Sequence, residues 1–138
     1  MVDFATGSGI VAIAALRAGA AEVLASDIDA FCADAVALNA EANAASVDFT
    51  DANLLEAPPP PAADVILAAD ICYEKPLAEQ VMAWLRAARD AGARVLIGDP
   101  GRSYFPKSGL TPLAEYRVPT TRDLEDAEIK RTGVWALA

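Results

Sequence analysis

Apolar residues along this chain fall into two alternating rhythms. Short runs over residues 1–5, 22–26, 47–50, 64–69 and 94–98 read as buried strands. Between them, residues 10–18, 30–42 and 76–90 carry apolar positions at helical spacing. The punctuation agrees: Gly19 ends the first helix, Asp29 is placed to cap the second, Pro76 opens the third and Gly92 closes it. Val65-Ile66-Leu67-Ala68-Ala69 is continuously apolar, as suits a parallel strand covered on both faces. The prolines at 58–61 exclude helix and central strand, so that stretch is an extended connection. Residues 113–118 and 129–137 read as two further strands, an antiparallel pair joined by a polar stretch over 120–126. The first strand is shorter than the usual five or six residues and is expected to be cut short at its start.

Strands alternating with helices predict an α/β fold, a doubly wound and mostly parallel sheet with helices on both faces. Right-handed crossovers bring the carboxyl end of every such strand to one edge. One domain, residues 1–138, accounts for the whole chain.

Composition narrows the chemistry. With 54% hydrophobic residues the chain buries a core. A net charge of −9 disfavours nucleic acid as a partner and favours a basic protein segment, such as one carrying a lysine. There is no histidine, so histidine base catalysis is excluded and a metal site is not expected. Cys32 and Cys72 form no C-x-x-C motif and read as small packing residues; Trp84 and Trp135 read as core aromatics. No apolar run is long enough for a membrane span, and no leader is expected ahead of the first motif; the expected location is cytoplasmic, with no membrane partner.

The candidate site begins at Asp3-Phe4-Ala5-Thr6-Gly7-Ser8-Gly9, a strand end and a glycine turn opening a helix. Gly7 to Ala12 fits the G-x-G-x-x-A form of a dinucleotide turn. Asp3 changes its reading, because a carboxylate there repels a pyrophosphate and suits a cation. S-adenosylmethionine carries an ammonium and a sulfonium and no phosphate. Asp27 follows about 20 residues past the turn, where an acidic residue binds ribose hydroxyls. After the third strand, Asp51 or Asn53 is placed to meet an adenine amino group, with Asp51 preferred. Asp70 ends the fourth strand and Asp99-Pro100-Gly101-Arg102 forms a tight turn after the fifth. Asp3, Asp27, Asp51 and Asp70 thus fall on one sheet edge. They are expected to form one cationic ligand site, with Asp70 nearest the reacting group.

The elements Asp3 to Gly9, Ala25-Ser26-Asp27-Ile28-Asp29 and Asp70-Ile71-Cys72-Tyr73 resemble the seven-strand, S-adenosylmethionine-dependent methyltransferases. The D-x-x-Y element is similar to that of their protein-lysine methyltransferase branch. Gly98-Asp99-Pro100-Gly101-Arg102 and the stretch from Pro119 to Asp126 resemble bacterial relatives of the lysine methyltransferase acting on the β subunit of electron transfer flavoprotein. Such sequences are also labelled ribosomal protein L11 methyltransferase-like or nicotinamide N-methyltransferase-like. The resemblance runs over the whole chain. It implies the strand order 3-2-1-4-5-7-6 with the last strand antiparallel, and S-adenosylmethionine as cofactor. It implies cofactor contacts at Asp3, Ala5, Gly7, Gly9, Asp27 and Asp51. Asp70 is then expected to hold the ammonium of a target lysine on a protein substrate, and Tyr73 to wall its channel. A substrate loop is expected around Thr121-Arg122-Asp123. Members of the family carry a further N-terminal segment with helices over the cofactor, which this chain is expected to lack. The other readings are a small-molecule N-methyltransferase, a nicotinamide-dependent oxidoreductase, and an incomplete cofactor-binding domain without transfer activity.

Overall fold

The computed structural model describes residues 1–119 and 129–138. The polar connection read over 120–126, with Thr121, Arg122 and Asp123, lies outside the described residues. The strands are β1 (Val2–Phe4), β2 (Leu24–Ser26), β3 (Asp48–Thr50), β4 (Val65–Ala69), β5 (Arg94–Asp99), β6 (Leu110–Pro119) and β7 (Ile129–Leu137). The helices are α1 (Ile10–Arg17), α2 (Phe31–Ala42) and α3 (Lys75–Asp90). Among the described residues the strands form one sheet in the order β3-β2-β1-β4-β5-β7-β6, as the resemblance implied. The pairs from β3 through β5 are parallel, and β7 runs antiparallel to both its neighbours. The largest difference of extent is β6, Leu110–Pro119, which begins three residues before and ends one residue after the expected strand over 113–118. It sits at the sheet edge, where Pro112 and Pro119 cost no ladder hydrogen bond.

Handedness explains the layers. The β1–α1–β2 and β2–α2–β3 crossovers step one way along the sheet and the β4–α3–β5 crossover steps the other. Right-handed connections therefore put α1 and α2 on one face and α3 on the opposite face. The larger core lies under α3: Val2, Phe4, Ile66, Ala68, Val95 and Ile97 from the strands meet Val81, Trp84, Leu85 and Ala88. Across the sheet, Ala12, Ala15, Val23, Ala25 and Val36 make a core of small residues. Trp84 stacks on Phe4 with ring centroids 5.4 Å apart, and its Nε1–H donates to the Ala57 carbonyl at 3.0 Å. This fixes the start of the proline connection onto the α3 face.

The turn after β1 is built around Asp3. Its Oδ2 accepts the Thr6 hydroxyl at 2.5 Å and the Ala12 N–H at 2.9 Å, while the residue is 1% exposed. Gly9 then caps α1 at φ 80°, and a Cβ there would lie 3.1 Å from a Val36 methyl. Gly9 therefore serves both the left-handed turn and the close approach of α1 to α2.

β6 and β7 pair over nearly their whole lengths, whereas β5 pairs with β7 only from Gly133 to Ala136. Their outer parts, Tyr116–Pro119 against Ile129–Thr132, thus extend as a two-stranded ribbon past the carboxyl edge. At its base the Trp135 ring lies over Gly133 and packs on Phe105, ring centroids 4.5 Å apart. Phe105 holds the loop that follows β5.

Two measurements test these details. A Cβ at position 133 would come within 2.1 Å of the Trp135 ring. Gly133→Ala is expected to destabilise the fold by roughly 1–3 kcal/mol in denaturant melts, because overpacking must displace that ring. Asp3 tests the turn. Burial raises its pKa from 3.8 to about 6, against the lowering effect of the Thr6 and Ala12 hydrogen bonds. The native state thus keeps the proton longer than the unfolded chain, and stability is lost as pH rises through about 6. Asp3→Asn does not titrate. Its stability relative to wild type is expected to rise between pH 4 and pH 6.5, by up to roughly 3 kcal/mol, and then stay level.

Candidate functional site

The order of strands reverses between β1 and β4, and a ligand crevice opens outside the carboxyl ends of strands at such a point. A cleft of about 220 Å³ lies there. β1 contributes Phe4 and leads into Ala5, β2 contributes Ser26 and leads into Asp27 and Ile28, and β4 leads from Ala69 into Asp70, Ile71 and Tyr73. Asn53, Leu54 and Leu55 close one side, and Leu77 and Val81 of α3 close the other.

Two residues bordering the cleft hold left-handed backbone without being glycine: Ala5 at φ 54° and Asp70 at φ 55°. Each such residue costs on the order of 1 kcal/mol or more. Both follow directly on the two central strands that flank the crevice. The conformation turns the chain sharply at the strand end, and the Asp70 N–H is held by the Gly98 carbonyl at 2.8 Å.

Asp27 carries the wall between β1 and β2. Its Oδ2 accepts the Gly7 N–H at 2.9 Å and its Oδ1 accepts the Asp29 N–H at 3.1 Å. These bonds pin the carboxylate across the glycine turn and leave lone pairs on both oxygens. Ile28 beside it is 73% exposed, an apolar side chain spent on the cleft rather than the core.

Asp70 carries the opposite wall. Arg102 grips it with a fork, Nε to Oδ1 at 2.6 Å and Nη2 to Oδ2 at 2.7 Å. The guanidinium hydrogen bonds hold the Asp70 carboxyl below the usual carboxylate range, opposed by partial burial and helped by the charges of Arg102 and Lys130. Arg102 is itself placed by Asp99, which is fully buried and whose Oδ1 accepts the Gly101 and Arg102 N–H groups, both at 2.7 Å. Asp99 Oδ2 has no hydrogen-bond partner among the described residues. Tyr73 borders the cleft and is 56% exposed. Cys72 is fully buried between these groups, and burial, with the charges of Asp99 and Asp70, pushes its thiol up to about 11. A neutral thiol there is a packing residue, as the sequence reading had it.

The four expected acidic contacts do not gather into one cradle. Asp27, Asp70, Tyr73 and Ala5 border the cleft. Asp3 does not: its carboxylate is turned into the β1–α1 turn and acts on the site by holding it. Gly7 and Gly9 likewise shape the turn beside the cleft; nothing lies within 4 Å of where a Gly7 Cβ would point. Asp51 is exposed and outside the lining, because the chain leaves β3 and brings Asn53 inward as the cap of the 3-10 turn Leu54–Glu56, its side chain accepting the Leu55 N–H. The apolar lining from Ile28, Leu54, Leu55 and Leu77 was not foreseen. Its one signal was the apolar Ile28 set between two aspartates.

No helix among the described residues is long and apolar enough to cross a membrane, and no group of three or more potential metal ligands occurs among them.

Comparison with known proteins gives these residues a context. An electron transfer flavoprotein beta subunit lysine methyltransferase of Xenopus laevis is 37% identical over 142 residues, an alignment covering 99% of this chain and 57% of that protein. The chain thus spans little more than half the length of the curated relatives it matches. The crystal structure of a ribosomal protein L11 methylase from Lactobacillus delbrueckii subsp. bulgaricus superposes with a TM-score of 0.62 at 21% identity, over 97% of this chain and 67% of that one. That of a magnesium protoporphyrin IX methyltransferase from Synechocystis, with S-adenosylmethionine bound, superposes at 0.66 and 16% identity, over 99% of this chain and 69% of that one. Both share the fold. The sequence profile of the ribosomal protein L11 methyltransferase (PrmA) family matches residues 1–96, well over half the chain, and the protein belongs to that family.

Proposed function

We propose that the protein is an S-adenosylmethionine-dependent methyltransferase acting on a lysine side chain of a protein. The observation that carries this reading is the pair of carboxylates, Asp27 and Asp70, set on opposite walls of a largely apolar crevice at the β1/β4 switch point. The residues suit the cofactor. Asp27 is placed to accept both hydroxyls of a ribose, and Ile28, Leu54 and Leu55 offer an apolar slot for a flat base beside the polar Asn53. At about 220 Å³ the cleft is smaller than the roughly 300–1,000 Å³ of pockets that enclose a whole drug-sized ligand, so it suits the nucleoside half, with the amino-acid half at the glycine turn.

When bound, S-adenosylmethionine supplies an activated methyl group whose leaving group, a thioether, needs no protonation. The work left to the chain is positioning. Asp70 accepts hydrogen bonds from the acceptor nitrogen and aims its lone pair into the cleft. Tyr73 walls the approach and shields the stem of the incoming side chain. The acceptor's proton goes to water before attack. The likeness to lysine methyltransferases of electron transfer flavoprotein beta subunit supports a protein acceptor of that type. The net charge of −9 suits a lysine-bearing surface.

Calorimetry with S-adenosylhomocysteine is expected to give one site per chain. Asp27→Ala is expected to weaken it about tenfold or more, the loss of charge-assisted bonds to a diol. A flat titration of the wild-type chain overturns the cofactor reading. Asp70→Asn is expected to leave S-adenosylhomocysteine affinity within about threefold while reducing methyl transfer to protein lysine by about 100-fold or more. Unchanged transfer removes Asp70 from the acceptor site.

A further inference from the structure

The acceptor side of the cleft contains a cation already. Arg102 meets both oxygens of Asp70, and the loop that carries it is fixed twice, by buried Asp99 at its start and by Phe105 on Trp135 at its centre. A carboxylate has about four acceptor positions, and the guanidinium fork uses one on each oxygen. The Asp70 side chain remains 47% exposed with Arg102 in place. A second donor can therefore reach Asp70 without displacing Arg102.

This pairing matters for the acceptor. A lone carboxylate stabilises an ammonium and holds its proton, which blocks attack, whereas a carboxylate whose charge is already matched accepts a hydrogen bond from a neutral amine without favouring the ammonium. Among the described residues, the other charged or titratable groups around Asp70 are Lys130 on β7, Cys72 and Tyr73 in its own connection, Asp99 at the end of β5, and Asp27 across the cleft. Lys130 acts in the same direction as Arg102, whose fork meets both Asp70 oxygens, and the thiol is neutral.

We propose that Arg102 is a positioning residue that neutralises Asp70 while leaving it able to accept hydrogen bonds, so that the acceptor lysine is seated as a free amine rather than as an ammonium. The inference rests on the reading of Asp70 as the acceptor's seat. The proton is given up to water as the side chain enters, and nitrogen keeps the lone pair with which it attacks.

The test is the pH dependence of acceptor binding, with a short lysine peptide as probe and calorimetry with and without S-adenosylhomocysteine. Free lysine titrates near 10.4, so its neutral fraction rises steeply from pH 7 to pH 9. Wild-type affinity is expected to rise about tenfold or more over that range. In Arg102→Gln, Asp70 loses the guanidinium on both its oxygens and takes the ammonium, so affinity at pH 7 is expected to exceed that of wild type and to change less than about twofold by pH 9. Arg102→Lys keeps the charge and is expected to keep the wild-type trend. A structural role alone would shift all affinities together without altering their pH slope. Equal slopes in wild type and Arg102→Gln overturn this proposal and leave the Asp70 seat standing. Absence of peptide binding by every protein at both pH values overturns the seat itself, and the proposal with it. Should Arg102→Gln fail to fold, the wild-type slope decides together with nitrogen-15 NMR of the Arg102 Nε–H. That signal is expected to persist at saturating peptide, and its loss shows that the guanidinium is displaced and overturns the proposal.

Discussion

The site depends on one buried carboxylate. Asp3 sits inside the sheet, gives one oxygen to the Thr6 hydroxyl and the Ala12 N–H, and so ties the end of β1 to the first turn of α1. Through that turn the Gly7 N–H is set where Asp27 can accept it, and the β1 and β2 ends become one wall. Burial of the group is costly, as its raised pKa records. The two hydrogen bonds offset part of that cost and return a defined turn. Asp3 shapes the ligand site without bordering it.

From that frame the rest of the crevice follows by topology. Reversal of strand order between β1 and β4 leaves a gap that no crossover covers, and the left-handed residues Ala5 and Asp70 turn the chain aside at its two rims. The site is thereby divided in function. In the proposed reading, Asp27 and the apolar residues near it serve a nucleoside, whereas Asp70, backed by Arg102, and Tyr73 serve the acceptor. Charge on the second side is matched within the protein, which suits a place where a nitrogen must arrive with its lone pair free.

Much of this was legible in the sequence, because hydrophobic rhythm and turn residues are local. The alternation of strands and helices gave the sheet, and the resemblance gave its order. Asp27 and Asp70 could be placed since the residue ending a parallel strand lies on the ligand edge. Three features were not legible. The side-chain direction of Asp3 depends on strand parity: its neighbours Val2 and Phe4 point to the α3 core, so it points to α1, and a stub of three residues shows no parity. Which of Asp51 and Asn53 borders the cleft turned on the 3-10 turn Leu54–Glu56, which Asn53 caps and which packs against α3. The Asp70–Arg102 pair joins residues 32 apart, brought together because β4 and β5 are neighbours in the sheet. Asp99 to Arg102 read as a turn, and nothing local says where the Arg102 guanidinium goes.

The β6–β7 ribbon carries a consequence of its own. Over Gly133 to Ala136, β7 is bonded on both sides, whereas over Ile129 to Thr132 its one partner among the described residues is β6. Two strands without a third are marginal in water, so backbone amides along this single strand should exchange with solvent at rates graded from base to tip. Arg117 stands opposite Arg131, like charges across the outer part, and Arg131 turns instead to Glu115 at 2.7 Å. The least protected end of the strand is the one that rises beside Asp70. One continuous strand thus joins the most tightly held part of the sheet to a part that can yield, at the edge where a large acceptor would have to settle.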